Sequence, residues 1–153
     1  MPTALQPTGD SGSLSSAEIS WFGVAAPEIA AWWPHAEPYV ARALAEGRGE
    51  MEPCDVRRFL ELRAMQLWLL WDGAARGALV TEIANHPRKR SCILRLFAAD
   101  RGLRAVWRAL IPLAEEWARE QGCDAVEVFG RPGWARLLDY ELKQVVLSKE
   151  LQK

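Results

Sequence analysis

Two histidines and three cysteines are all the imidazole and thiol ligands in 153 residues, and neither type is spaced to hold a metal. His35 and His86 stand alone, and Cys54, Cys92 and Cys123 are widely separated with no Cys-x-x-Cys pair. A structural zinc site needs about four convergent N or S ligands, so no metal is expected. An odd, scattered set of cysteines suits reduced thiols, which makes the cytoplasm the expected compartment. No apolar run approaches the roughly 18 residues of a spanning helix, so no membrane partner is expected. The N-terminus lacks the basic and apolar regions of a signal peptide. A basic surplus is missing as well: 19 Lys and Arg stand against 20 Asp and Glu, a net charge of -1. Binding phosphate backbones requires such a surplus, so no nucleic-acid partner is expected. The run Arg88-Lys89-Arg90 is the local exception and reads as a solvated loop tip.

What is present is enough apolar material for one domain with a real core, half of the residues being hydrophobic. Eight tryptophans dominate the aromatic content. Most belong in the core by this reading, with one or two free to line a ligand or partner surface. Residues 1–16 are rich in Ser, Thr, Gly and Pro and read as a flexible tail, leaving 17–153 as a single domain.

The chain is organised around residues 95–134. A β-prone run at 92–98 precedes Leu103, Val106, Trp107, Leu110, Ala114 and Trp117, which recur at three- and four-residue steps. Gly122 stops that helix, and 125–129 follows as a strand. Strand, crossover helix and strand predict a parallel pair with a right-handed crossing, and ligands of such units sit at the carboxyl ends of the strands.

Before this unit the sequence predicts a first strand at 18–24. A helical region at 27–46, broken by Pro34 and Pro38, precedes a second helix from Pro53. A three-strand antiparallel meander follows at 66–71, 76–84 and 92–98, with Asp72-Gly73 as its first turn and 85–90 as a polar loop. After the unit come a short helix at 134–138 and a last strand at 142–151 carrying Val145-Val146-Leu147. The expected fold is α/β, a mixed central sheet flanked by helices.

This order resembles the GNAT (N-acetyltransferase) superfamily from about Glu18 to Leu151. Several phrases resemble small GNAT-like proteins of tailed phages and prophages: Gln66-Leu67-Trp68, Val80-Thr81-Glu82-Ile83, Glu116-Trp117-Ala118-Arg119 ending in Gly122-Cys123, and Gly130-Arg131 with Gly133-Trp134. The resemblance implies a GNAT-like acyl-CoA N-acyltransferase fold, acetyl-CoA as cofactor, and a small-molecule or protein amine as acceptor. It also implies a bacterial host cytoplasm, with virion association as an option.

In such enzymes an R/Q-x-x-G-x-G/A turn lets helix N-terminal N–H groups reach the pyrophosphate of coenzyme A. Anchored on Glu116-Trp117 and Gly122, that turn falls on residues 102–107. Cofactor contacts are then expected at Phe97, Ala98, Arg101, Gly102, Arg104 and Ala105, with Arg131 at the carboxyl end of the next strand. Gly102 replaces the Arg or Gln, Ala105 stands for a Gly, and Trp107 occupies the last small position. Two readings of Trp107 stand side by side: a core residue that plugs the phosphate cradle, or part of a remodelled turn in which Arg101 and Arg104 hold the anion from the side.

The tyrosine that protonates the leaving thiolate in many GNAT enzymes would fall on Leu137, which has no proton to give; Tyr140 is nearby. Glu82 is the first choice for the base that deprotonates the amine, and Glu127 the second, provided burial raises the carboxylate pKa. Two functions therefore remain open. One is an acetyl-CoA-dependent N-acyltransferase with a degenerate pyrophosphate loop. The other is a non-catalytic protein on the same scaffold, contacting phage virion proteins or a host protein.

Overall fold

The computed structural model describes residues 19–153, so the expected tail at 1–16 lies outside the described residues. Five strands form one sheet in chain order: β1 (Ser20–Val24), β2 (Gln66–Trp71), β3 (Ala75–His86), β4 (Lys89–Ala99) and β5 (Ala125–Val128). The first three pairings are antiparallel, and β4 with β5 is parallel. Helices α1 (Ile29–Ala45) and α2 (Pro53–Glu61) join β1 to β2, α3 (Arg104–Glu120) crosses from β4 to β5, and α4 (Gly133–Leu138) follows β5. The mixed α/β sheet is thus as expected, including the meander and the parallel pair.

Two hydrophobic cores form, one on each face of the sheet. Trp21, Trp68, Leu79, Cys92 and Leu94 alternate onto the face covered by α3, where Val106, Trp107, Leu110 and Ala114 meet them. Trp68 stacks on Trp21 at 4.7 Å between ring centroids and meets the edge of Trp117 at 4.9 Å. The opposite face presents Leu67, Leu69, Ala78, Val80 and Leu96 to Ile29, Trp33 and Val40 of α1 and to Val56 and Leu60 of α2. The period of two along each strand thus feeds both cores.

Three expectations are corrected. The region at 27–46 is not broken at its prolines: α1 runs through Pro34 and Pro38 after a short 3-10 turn at Ala26–Glu28. Both prolines sit four residues apart on the exposed side, so the missing N–H groups fall on the wet face while Trp33, Ala36 and Val40 hold the buried one. Residues 85–90 are not a loop, because Asn85 pairs with Arg90 and His86 with Lys89, leaving Pro87-Arg88 as a tight turn. The basic run is therefore mostly strand, and Arg90 is tied to Asn85 Oδ1 at 2.7 Å and to the Gln121 carbonyl at 3.0 Å.

The third correction is the last strand. Among the described residues, 141–153 make no backbone hydrogen bond and no strand, and Leu142, Val145, Val146, Leu147 and Leu151 are 61–91% exposed. Apolar β-branched sequence specifies a strand only where an edge receives it, and no described edge does.

Candidate functional site

The parallel pair β4–β5 is in register only from Ser91↔Ala125 to Leu94↔Val128. Beyond that point β5 ends, while β4 runs on to Ala99 against β3. The two strands part, and a cleft of about 580 Å³ opens between them at the start of α3. A β-bulge marks the place. Val80 faces Leu96 and Thr81 faces Leu94, so Arg95 is the extra residue on β4. The inserted residue reverses the alternation, turning Leu96 onto the α1 face and Phe97 onto the α3 face.

That reversal builds the cleft's inner wall. Phe97 stacks on Trp107 at 3.4 Å between centroids and 20° between planes, and Trp134 of α4 stands edge-on to both, at 6.4 and 6.0 Å. Gly130 makes room for this arrangement, since a Cβ there would come within 2.7 Å of the Trp134 ring. Trp107 is 3% exposed, and its buried indole N–H has no acceptor among the described residues. An orphaned buried donor of this kind costs about 1–3 kcal/mol.

The outer wall is charged. Arg108, Arg131, Arg136 and Asp100 line the opening. Gly102, at φ 86°, makes the left-handed turn that leads into α3, and no side chain caps the helix start. The first helical bond is from Trp107 N–H to the Leu103 carbonyl, at 2.9 Å. The N–H groups of Arg104, Ala105 and Val106 precede it and accordingly lack intrahelical acceptors, as at any helix start. Helix α1 braces the floor of the cleft: the single Tyr39 hydroxyl proton is shared between Asp100 Oδ1 at 2.9 Å and the Ala75 carbonyl at 2.8 Å, and Arg42 donates to the Ala99 carbonyl. Burial and the Asp100 carboxylate hold the Tyr39 phenol above its ordinary pKa, so it stays a donor. Arg76 ties Asp72 and Asp100 together at 2.6 and 3.7 Å.

Of the residues expected at a cofactor site, Phe97, Gly102 and Arg131 line the cleft. Arg131 also pairs with Glu46 at the end of α1. Ala98 is buried and faces away, as the alternation requires, while Arg101 and Ala105 are exposed and outside the lining. Arg104 opens α3, and its side chain lies outside the described ones.

The residues expected to move protons are dispersed. Glu82 lies on β3 beside the bulge, its Oε2 at 3.4 Å from Nε of Arg95, and the Arg95 guanidinium in turn covers the Phe129 ring. Glu127 bonds Lys89 and Ser91, each at 3.0 Å. The Lys89 ammonium holds its carboxyl below the ordinary range, with the Ser91 hydroxyl helping, the opposite of the elevation expected for a base near neutrality. Tyr140 is outside the cleft, near Ala125 and Val126 at the other end of β5, and donates to Glu115 at 2.7 Å. Burial first, and then Glu115, push its phenol up.

Asp100, Arg108, Trp134 and Arg136 are among the lining residues that sequence reasoning did not assign to the site. A signal existed for one of them: Arg108 follows Arg104 by four residues, one turn along the same face of the predicted helix. Among the described residues no group of three or more His, Cys, Asp or Glu is placed to hold a metal, and no helix is long and apolar enough to cross a membrane. Burial pushes the Cys92 thiol up to about 12, which disfavours its thiolate.

Several solved structures of similar shape are named as acetyltransferases. An aminoglycoside acetyltransferase from an uncultured soil metagenomic sample, solved with trehalose, superposes with a TM-score of 0.67 at 14% identity, over 88% of this chain and 97% of that one. Aminoglycoside N-acetyltransferase AAC(6')-Iy in complex with CoA gives a TM-score of 0.66 at 13% identity, over 91% and 98%. A ribosomal-protein-alanine N-acetyltransferase from Brucella melitensis gives 0.59 at 14% identity, over 88% and 98%. No family model and no curated protein matches the sequence. The likeness shows the fold: a mixed five-strand sheet with flanking helices, the GNAT acyl-CoA N-acyltransferase arrangement.

Proposed function

We propose that this chain is an N-acyltransferase that takes an acyl group, acetyl first among them, from coenzyme A and places it on an amine. The observation that carries the reading is the parting of β4 and β5 beyond Leu94 and Val128, which opens an arginine-lined cleft at an uncapped helix start. Three further features fit the group. N–H groups at the α3 start carry the positive end of the helix dipole. Arg108, Arg131 and Arg136 supply charge-assisted donors for phosphate. The unpartnered Trp107 indole N–H belongs to the same wall.

In this reading the pyrophosphate loop is degenerate, because Trp107 stands where a small residue suits close approach. Its ring lies flat against Phe97, and the phosphate work passes to the side chains of Arg108, Arg131 and Arg136 that line the cleft. Bound there, acyl-CoA supplies an activated thioester: a C–N bond to the amine forms as the C–S bond breaks, the amine losing a proton and the thiolate gaining one. Phe97, Trp107 and Trp134 wall the cleft and exclude water. Glu82, beside the bulge where the strands part, is the base that takes the amine proton, and Arg95 orients its carboxylate.

Thermal melting with 1 mM acetyl-CoA tests the reading. For a dissociation constant near 10 μM the native state gains about 2.7 kcal/mol, several degrees of Tm in a chain of this size. Glu82→Gln keeps that shift and lowers thiol release over an amine panel by roughly 100-fold. An unchanged Tm defeats the proposal. It would favour the non-catalytic alternative, a phage virion or host-contacting protein, which the buried Trp107 at the cradle position already suits.

A further inference from the structure

We propose that the acceptor is an α-amino acid with an apolar side chain, held as a zwitterion by Glu82 and Arg95 where β4 and β5 part. The inference rests on the acyl-transfer reading for its chemistry and on the Glu82–Arg95 pair for its recognition. Arg95 is the inserted residue of the bulge and the first on β4 beyond the Leu94↔Val128 register; Phe129 directly follows β5. The Arg95 side chain is 21% exposed, yet among the described residues its one polar partner is Glu82 Oε2, 3.4 Å from Nε. A charge-assisted bond closes to about 2.7–2.9 Å. The Glu82 carboxylate, 33% exposed, likewise has no other partner among the described residues. The fold leaves this pair loose and incompletely bonded.

Glu127 supplies the contrast. The register sets Glu82, Ile93 and Glu127 side by side across three strands, so both carboxylates face the α1 side of the sheet. Glu127 is bonded to Lys89 and to Ser91, each at 3.0 Å, and is satisfied within the fold. Ile93, between the two, is buried but belongs to neither core, so neither helical layer caps this patch. A ligand can therefore reach Glu82 and Arg95 from the α1 side while acyl-CoA occupies the cleft at the start of α3.

The spacing of the pair selects the ligand. Glu82 and Arg95 offer opposite charges 3.4 Å apart, so the charges they bind must be near neighbours on one molecule. An ammonium and a carboxylate on a single α-carbon meet that condition, and a guanidinium fork takes a carboxylate through two parallel N–H bonds. A purely cationic amine satisfies Glu82 alone and sets a second positive charge beside Arg95, which penalises it. A lone carboxylate meets the like charge of Glu82. Phe129, 60% exposed beside the guanidinium, offers ring surface to an apolar side chain. In transfer the ammonium gives one proton to Glu82, which later returns it to water. The freed amine attacks the thioester carbonyl, and the C–S bond breaks as the C–N bond forms. A second N–H proton goes to the departing thiolate, and the product amide keeps its carboxylate on Arg95.

Titration calorimetry on the full chain reads recognition apart from chemistry. L-Phenylalanine is expected to bind roughly 10- to 100-fold more tightly than phenethylamine, which lacks the carboxylate, or 3-phenylpropionate, which lacks the ammonium. L-Leucine and L-methionine follow L-phenylalanine, and spermidine follows phenethylamine. With acetyl-CoA added, kcat/KM for thiol release over the amines takes the same order. Arg95→Gln, with an unchanged far-UV spectrum, is expected to bring L-phenylalanine down to the level of phenethylamine. Equal binding of those two by the wild type, binding of none of the three amino acids, or a preference that survives Arg95→Gln overturns the proposal. The wild-type series decides the matter even where the variant fails to fold. An acetyl-CoA shift in Tm without zwitterion binding defeats this inference alone, whereas zwitterion binding without that shift defeats the acyl-transfer reading instead.

Discussion

Trp107→Ala is expected to lower the melting temperature by on the order of 10 °C, the largest single loss from the cleft wall. The side chain is 3% exposed, stacked on Phe97 and edge-on to Trp134. Truncating a buried aromatic of this size costs about 3–5 kcal/mol, and each kcal/mol is worth about 2–4 °C in a domain of this length. Trp107→Phe should recover most of the loss, because it keeps the stack and removes an indole N–H that has no partner. Differential scanning calorimetry checks this, and a drop of one or two degrees for the alanine would mean that the ring is not part of the core. The same variants sort the two roles of Trp107. If its bulk obstructs the phosphate, the acetyl-CoA shift of the alanine variant exceeds that of wild type. If the indole N–H serves the ligand, the phenylalanine variant binds less well.

Thr81→Val is expected to cost about 2–3 kcal/mol although the two side chains have the same shape. Thr81 is fully buried on β3; its Oγ1 accepts from the Trp68 indole N–H at 3.0 Å and donates to Gln66 Oε1 at 2.9 Å. Valine leaves a buried donor and a part-buried acceptor unpaired, and the penalty is set by their lost partners rather than by volume. Thr81→Ser keeps both bonds and should lose only the methyl contribution, about 1 kcal/mol. Urea unfolding followed by Trp fluorescence gives the comparison, read as a fall in midpoint at constant slope. A valine variant as stable as wild type would remove the hydrogen-bond chain from any account of how Trp68 is fixed between Trp21 and Trp117.

Much of the fold was legible because periodicity survives any detail of packing. The three- and four-residue recurrence from Leu103 to Trp117 could bury only one face, and the runs on either side were too short for helices. What escaped was whatever depends on a partner. The run at 142–151 has the composition of a strand, but composition does not say which edge receives it. Pro34 and Pro38 signalled a break because each removes a helical hydrogen bond; that they share the exposed side of α1 becomes visible only once the helix has a buried side. The cleft was legible as a place and not as a lining. The turn after β4 was identifiable, whereas Arg136 and Asp100 belong to it only because the strands part at the Arg95 bulge, and a single inserted residue leaves no mark in the pattern. For the same reason Ala98 drops out of the lining and Phe97 stays in.

The separation of the two cores by the sheet makes the molecule mechanically one-sided. Everything that a ligand could displace in the cleft, from Phe97 and Trp107 to Trp134 and Leu137, belongs to the layer under α3, while Leu67, Leu69, Val80 and Leu96 are committed to α1 and α2 behind the sheet. A shift of α3 or α4 can therefore be absorbed within one layer. The bracing of Asp100 by Tyr39, and of the Ala99 carbonyl by Arg42, anchors the end of β4 to α1 on the other side of the sheet. The aromatic wall of the cleft and the polar ties that fix its rim thus come from opposite sides of one sheet.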